Sequence, residues 1–163
     1  MKRLLPVLLL LLPGCGLQPL YAGGGSGAVA SALTGVEVAP IEGRSGWLVA
    51  NALKDRLQAS GPPRYRLDVR LDDDIEGRGI RRDDAVTRER RTLRARYQLV
   101  DLRSGQTLLD ATAGSDAGVD VVQSSEYATI AAENTALENL SGIVADQIVA
   151  RVALYARRQA AAR

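Results

Sequence analysis

Between Arg64 and Asp72 the chain alternates without a break: Tyr65, Leu67, Val69 and Leu71 are separated by Arg64, Arg66, Asp68, Arg70 and Asp72. A period of two puts every apolar side chain on one side of an extended chain and every charge on the other, which a helix cannot do. The segment is therefore a half-buried strand. The same rhythm returns downstream, with Leu93, Ala95, Tyr97 and Leu99 in one phase and Arg90, Arg94, Arg96 and Gln98 in the other. Ser104-Gly105 then makes a tight turn, and Thr107 to about Ala113 returns as the partner of a hairpin. The charged stretch from Asp73 to Asp84 reads as a loop, as does the segment carrying Gly114 and Gly118.

Two helices complete the pattern. A short strand around Val36 and Val38 ends at Pro40, and Arg44 to Ala59 has Val49, Leu53 and Leu57 at four-residue spacing, Ser45 as its cap and Gly61-Pro62-Pro63 as its stop. From Ser125 to Arg158 the apolar residues Tyr127, Ile130, Leu137, Leu140, Val144, Ile148, Val152 and Tyr155 recur near every third and fourth position. Such a helix is about 50 Å long, with Gly142 as the place for a bend. The order β-α-β-β-β-α predicts an α/β protein, more narrowly an α+β sandwich, with a four-stranded mixed sheet and both helices packed on one face. The tyrosines at 65, 97, 127 and 155 fall on the apolar faces and read as core.

The start of the chain has a different character. Met1-Lys2-Arg3 leads into a leucine-rich run that ends Leu12-Pro13-Gly14-Cys15-Gly16. A basic start, about nine mostly apolar residues and a small residue at the cut are the parts of an export signal, too short to span a bilayer. The chain's one cysteine stands at the cut, the position acylated in a bacterial lipoprotein; several acyl chains at about 0.8 kcal/mol per methylene anchor stably where one is marginal. An ordinary secretory signal with a leftover thiol, or an uncut signal anchor, is the plainer account. Ala22 to Ser31 is small and glycine-rich and reads as a tether, with an r.m.s. reach on the order of 20 to 25 Å from Cys15 to the first strand. The expected divisions are a signal over 1–14, an acylated N-terminus and flexible linker over 15–32, one domain over 33–158 and a tail over 159–163.

Composition narrows the chemistry. Without Lys2 and Arg3 the 21 cations fall to 19, against 19 carboxylates, so the chain after the cut is neutral. There is no histidine, and the lone thiol belongs to the anchor. His or Cys metal sites, histidine triads and cysteine nucleophiles are thereby removed, and an enzyme is not expected. Gly43-Arg44-Ser45-Gly46 lacks the spacing and the base of a nucleophile elbow. Asp72-Asp73-Asp74 and Asp83-Asp84 lack calcium-loop spacing and read as solvated charge, so no metal is expected.

What remains is a face. Arg64, Arg66 and Arg70 of one strand stand near Arg88, Arg90, Arg94 and Arg96 of the next if the two are neighbours, and arginine outnumbers lysine 19 to 2. Guanidinium pairs two hydrogen bonds with phosphate, which suits an anionic ligand. A GC-rich genome and the ordinary solvated side of a strand account for the same arginines without any ligand. Nucleic acid fits poorly with an exported, neutral chain.

Cys15-Gly16-Leu17-Gln18-Pro19-Leu20-Tyr21, Thr87-Arg88, Ala95-Arg96-Tyr97-Gln98-Leu99-Val100-Asp101 with Gly105 and Leu108, and Ser125-Glu126-Tyr127-Ala128 leading to Ala131-Ala132-Glu133 occur in an order and spacing that resembles the LptE family of lipopolysaccharide-assembly lipoproteins, in its alphaproteobacterial branch. Pro13 in the cleavage motif and Asn134, where an acidic residue is expected, depart from the pattern. The resemblance implies a non-enzymatic lipoprotein of the cell outer membrane, palmitate-type acyl chains on Cys15 and no other cofactor. It also implies one-to-one pairing with the β-barrel LptD, whose lumen the domain plugs from the periplasmic side, and delivery of lipopolysaccharide to the cell surface. On that reading the arginine face contacts lipopolysaccharide or the barrel wall. The alternatives are an accessory lipid-binding lipoprotein of an envelope ABC transport system and a purely structural envelope lipoprotein.

Overall fold

The computed structural model describes residues 28–80, 86–122 and 124–162. Along them lie α1 (Ala28–Leu33), β1 (Val36–Val38), α2 (Gly43–Leu57), β2 (Tyr65–Ile80), β3 (Val86–Asp101), β4 (Thr107–Asp120) and α3 (Glu126–Ala161). The sheet order is β1-β2-β3-β4, with β1 parallel to β2 and the other pairs antiparallel. Apart from the added α1, this is the α+β arrangement that the alternations predict. Leu33 and Val36, at the start of the expected domain, are buried, and the last residues of the segment read as tether belong to a helix, Ala28–Leu33, that packs on α3.

The core is the apolar phase of the alternation. Leu67, Leu93, Tyr97 and Leu99 of the sheet are buried beneath Val49, Leu53 and Leu57 of α2 and Leu137, Leu140, Val144 and Ile148 of α3. The two helices run in the same direction, since Arg44 near the start of α2 donates to Asn134, and Arg56 near its end pairs with Asp146. Arg56 also donates to the carbonyls of Ala52 and Gly142. Gly142, predicted as a bend, lies within an α3 that is helical from Glu126 to Ala161, and a Cβ there would stand 3.6 Å from the Arg56 guanidinium. The expected tail over 159–163 is likewise helical as far as Ala161.

The strands outrun the alternation. Asp73 to Ile80 is strand rather than loop, in register with β3 from Leu93 to Val86, and β4 continues through Gly114 and Gly118 to Asp120. The ladder's hydrogen bonds carry the extended conformation on after the apolar phase has given way to Asp73, Gly77, Glu89 and Arg91. Ser125 caps α3, its hydroxyl accepting from the Ala128 N–H, whereas the residue before α2 is Glu42, whose side chain makes no cap bond; Ser45 lies inside the helix. Tyr97 is buried, and Tyr65 and Tyr155 pack against the core as expected. Tyr127 is not core: at 88% exposure it stands out from the first turn of α3, beyond the reach of the sheet face that covers Leu137 onward.

Candidate functional site

Among the described residues no helix covers the second face of the sheet, and the predicted arginines are gathered there by register. Arg70 lies opposite Arg96, Asp72 opposite Arg94, and Glu76 opposite Arg90 on β2 and β3; Arg94 and Arg96 in turn face Gly114 and Thr112 on β4. The carboxylates sit among them. Arg66 pairs with Asp68 on its own strand, Arg96 with Asp110, Arg90 with Asp116 and Arg88 with Asp120, at 2.9 to 3.4 Å. Gln98 joins the Asp110 carboxylate at 2.8 Å, and the hydrogen bonds from Arg96 and Gln98 hold Asp110 below the ordinary carboxylate range. The face is thus a lattice of alternating charge rather than a plain cationic surface.

Arg70 and Arg94 stand outside this pairing: among the described residues neither makes a hydrogen bond or ion pair. Arg70 directly opposite Arg96 is a like-charge cross-strand pair, which costs stability. With Arg96 they line a depression of about 610 Å³ floored by Thr92, Thr112 and Gly114. Gly114 leaves room for it, because a Cβ there would come within 3.3 Å of the Arg94 side chain. Gln147 of α3 reaches round the outer edge of β4 and fixes the same residue, accepting from its N–H and donating to its carbonyl. A second hollow of about 800 Å³ shares Arg70 and Arg96 and opens toward Pro40, Glu42 and Ser45. The structure therefore brings six of the seven predicted arginines to one face. Arg64 is elsewhere: it lies at the end of the sheet beside Asp101 and Tyr155, its guanidinium 5.7 Å from the centre of the Tyr65 ring. Cys15 lies outside the described residues.

One charged cluster sits on the helix-covered side. Arg91 donates to both oxygens of Asp73 at 2.8 Å and to the Glu133 carbonyl at 3.1 Å, and the ion pair is only 11% and 20% exposed. Beside it, burial and the neighbouring Glu133 push the Glu89 carboxyl upward, and Glu89 Oε2 is buried without a partner. The signal for this cluster is in the sequence: in Arg90-Arg91 two adjacent arginines on a strand must face opposite ways, and Asp73 is in phase with Leu71. No group of three or more acidic, His or Cys side chains among the described residues is placed to hold a metal ion, and no described helix is long and apolar enough to cross a membrane.

The family model for lipopolysaccharide assembly, LptE, matches residues 33–152. Among solved structures the chain is similar to a lipoprotein of Caulobacter crescentus at 24% identity and TM-score 0.66, covering 82% of this chain and 98% of that one. It is also similar to an uncharacterised lipoprotein B of Nitrosomonas europaea (12% identity, TM-score 0.60, 74% and 82% covered). The rare lipoprotein B of Shewanella oneidensis aligns with 8% identity and TM-score 0.57 over 72% of this chain and 94% of its own. These likenesses are of fold. No curated protein matches the chain.

Proposed function

The chain belongs to the LptE lipopolysaccharide-assembly family, and from that premise we propose that it is an outer-membrane lipoprotein acylated at Cys15. In this reading it fills the lumen of an LptD-type β-barrel as a one-to-one partner, assists the assembly of that barrel, and helps pass lipopolysaccharide to the cell surface. The observation that carries the reading is the family match over residues 33–152, which takes in both helices' core-facing stretches and the whole sheet. The open face supports it further. The work proposed for it is binding, through the arginines, aspartates, hydroxyls and Gln147 that converge there.

Within that face the contact is assigned to Arg70 and Arg94, with Arg96 beside them. Arg66, Arg88 and Arg90 already spend their guanidinium groups on aspartates, while Arg70 and Arg94, unpaired in a depression that also holds Thr92, Thr112, Asp72 and Asp116, are the cations left to receive a phosphate or acidic sugar, with Asp116 already engaged by Arg90. Arg64, at the end of the sheet, is not part of this contact.

The test is to tag the carboxyl terminus, solubilise the outer membrane in mild detergent and identify what survives a stringent wash by mass spectrometry. A stoichiometric large β-barrel is the expected result. Recovery of inner-membrane transporter subunits in its place would overturn the reading in favour of an accessory lipoprotein of an ABC transport system.

A further inference from the structure

We propose that the end of the domain where α1 enters is a docking surface for an anionic, phosphate-bearing lipid headgroup layer. One depression of about 350 Å³ brings together Ala32 of α1, Arg64 just before β2, Asp101 at the end of β3 and Tyr155, Ala156, Gln159 and Ala160 of α3, so these termini share one end of the molecule, with Arg157 and Arg158 on the same last turns of α3 but outside the depression. The β3–β4 turn belongs to it too: the Leu102 N–H donates to the Arg64 carbonyl, and the Arg103 and Ser104 N–H groups donate to Asp101.

The cations of this end are Arg64, Arg103, Arg157 and Arg158. All four are exposed, and none is in an ion pair with a described carboxylate, in contrast to the paired arginines of the sheet face. The acid among them, Asp101, is occupied by the two backbone N–H groups, whose bonds hold it below the ordinary carboxylate range. Arg158 in the last turn also offsets the α3 dipole, but that accounts for neither Arg64 nor Arg103, which lie on loops and a strand end. Leu102, 41% exposed, adjoins Arg103 in the turn and is bonded through its N–H to the Arg64 carbonyl, so that guanidinium groups and an apolar tip present together.

The occupant follows from where the chain leaves. Ala28 is within about 8 Å of Leu33, and the residues before it run back to Cys15, so the proposed acyl anchor pulls this end toward the lipid. Lys and Arg near an anionic lipid surface each gain attraction that fades over about 10 Å, the Debye length at 0.1 M salt. The far end, where β4 closes at Asp120, is separated from it by the length of β4 and α3. This inference deepens the anchored-lipoprotein reading and rests on it for the direction of the tether.

The experiment uses the full acylated chain in nanodiscs of phosphatidylcholine alone or mixed with phosphatidylglycerol, with a fluorophore on Gln159→Cys or on Asp120→Cys and a quencher on the lipid headgroups. The expected result is several-fold stronger quenching at position 159 than at 120 in the phosphatidylglycerol discs. That difference should fall to the phosphatidylcholine level at high salt and in the triple variant Arg103→Glu, Arg157→Glu, Arg158→Glu, whose far-ultraviolet dichroism and thermal unfolding should match the parent. Equal quenching at both positions, or the same quenching in both lipids, would overturn the docking surface. A chain recovered without acyl mass on Cys15 would contradict the anchor alone. Sedimentation of that unacylated chain with phosphatidylglycerol vesicles then decides the surface, binding supporting it and its absence overturning it.

Discussion

The lower half of the β2–β3 ladder, Tyr65–Leu71 against Ala95–Asp101, and the upper half, Asp72–Ile80 against Val86–Arg94, share one backbone and divide the tasks of the molecule. Below, the helix-facing positions are Leu67, Val69, Tyr97 and Leu99, and the sheet is held by apolar burial at about 25 cal/mol per Å². Above, past Leu93, the same face carries Asp73, a partly exposed Ile75, Gly77, Glu89 and Arg91, and cohesion passes mainly to the ladder and to the Arg91–Asp73 pair. The open face does not change in this way: arginine and aspartate interleave along its whole length. A strand can therefore be anchored from one side by burial and continued by its ladder where burial ends, while charge on the other side leaves its conformation unchanged.

Changes at four levels sharpen or break that division. Leu67→Ala or Leu99→Ala, in the lower half, should cost about 2 to 5 kcal/mol in chemical denaturation, because each leaves a cavity under the helices. Arg91→Ala should cost less, about 2 kcal/mol, by stranding Asp73 and releasing the Glu133 carbonyl. Its effect should concentrate in faster amide exchange along the upper half; an effect spread evenly over both halves would break the comparison.

Glu89→Gln should act in the other direction. A carboxyl whose folded pKa is raised binds its proton more tightly folded than unfolded, so ionisation destabilises the fold as pH rises through the carboxyl range toward the folded value. The substitution should raise stability at pH 7 by about 0.5 kcal/mol and leave it nearly unchanged at pH 3, where both states of the parent are protonated. A loss of stability at pH 7 would show Glu89 to be paired rather than repelled. The smallest effect belongs to the open face: Arg96→Ala removes an ion pair whose members are 68% and 40% exposed, and should change stability by no more than about 0.3 kcal/mol, and less still at high salt.

The sequence was legible wherever one phase of an alternation was apolar. Tyr65 to Leu71 and Leu93 to Leu99 gave their strands, their buried face and, with the spacing of Val49, Leu53 and Leu57, the side on which the helices pack. Where both phases turned polar or small, periodicity lost its contrast, and Asp73 to Ile80 and Gly114 to Asp120 read as loops although their partners hold them as strand. The arginine face was legible as a face, because parity alone places six of its seven members. Which of those arginines are unpaired was not, since that depends on cross-strand distances to Asp110, Asp116 and Asp120 that no local pattern encodes. Tyr127 was misplaced for a related reason: helical spacing puts it in line with Leu137, but α3 begins beyond the core, and spacing carries no record of where the covering layer ends.

The most direct test of the proposed contact is the binding of purified lipopolysaccharide to the parent chain and to the double variant Arg70→Glu, Arg94→Glu, with denaturant unfolding measured on the same samples. The account predicts binding weakened by about tenfold or more, as expected when two charge-assisted contacts are reversed, and an unfolding midpoint that does not fall, because neither guanidinium has a partner in the folded domain. Unaltered binding alongside an intact fold would contradict it.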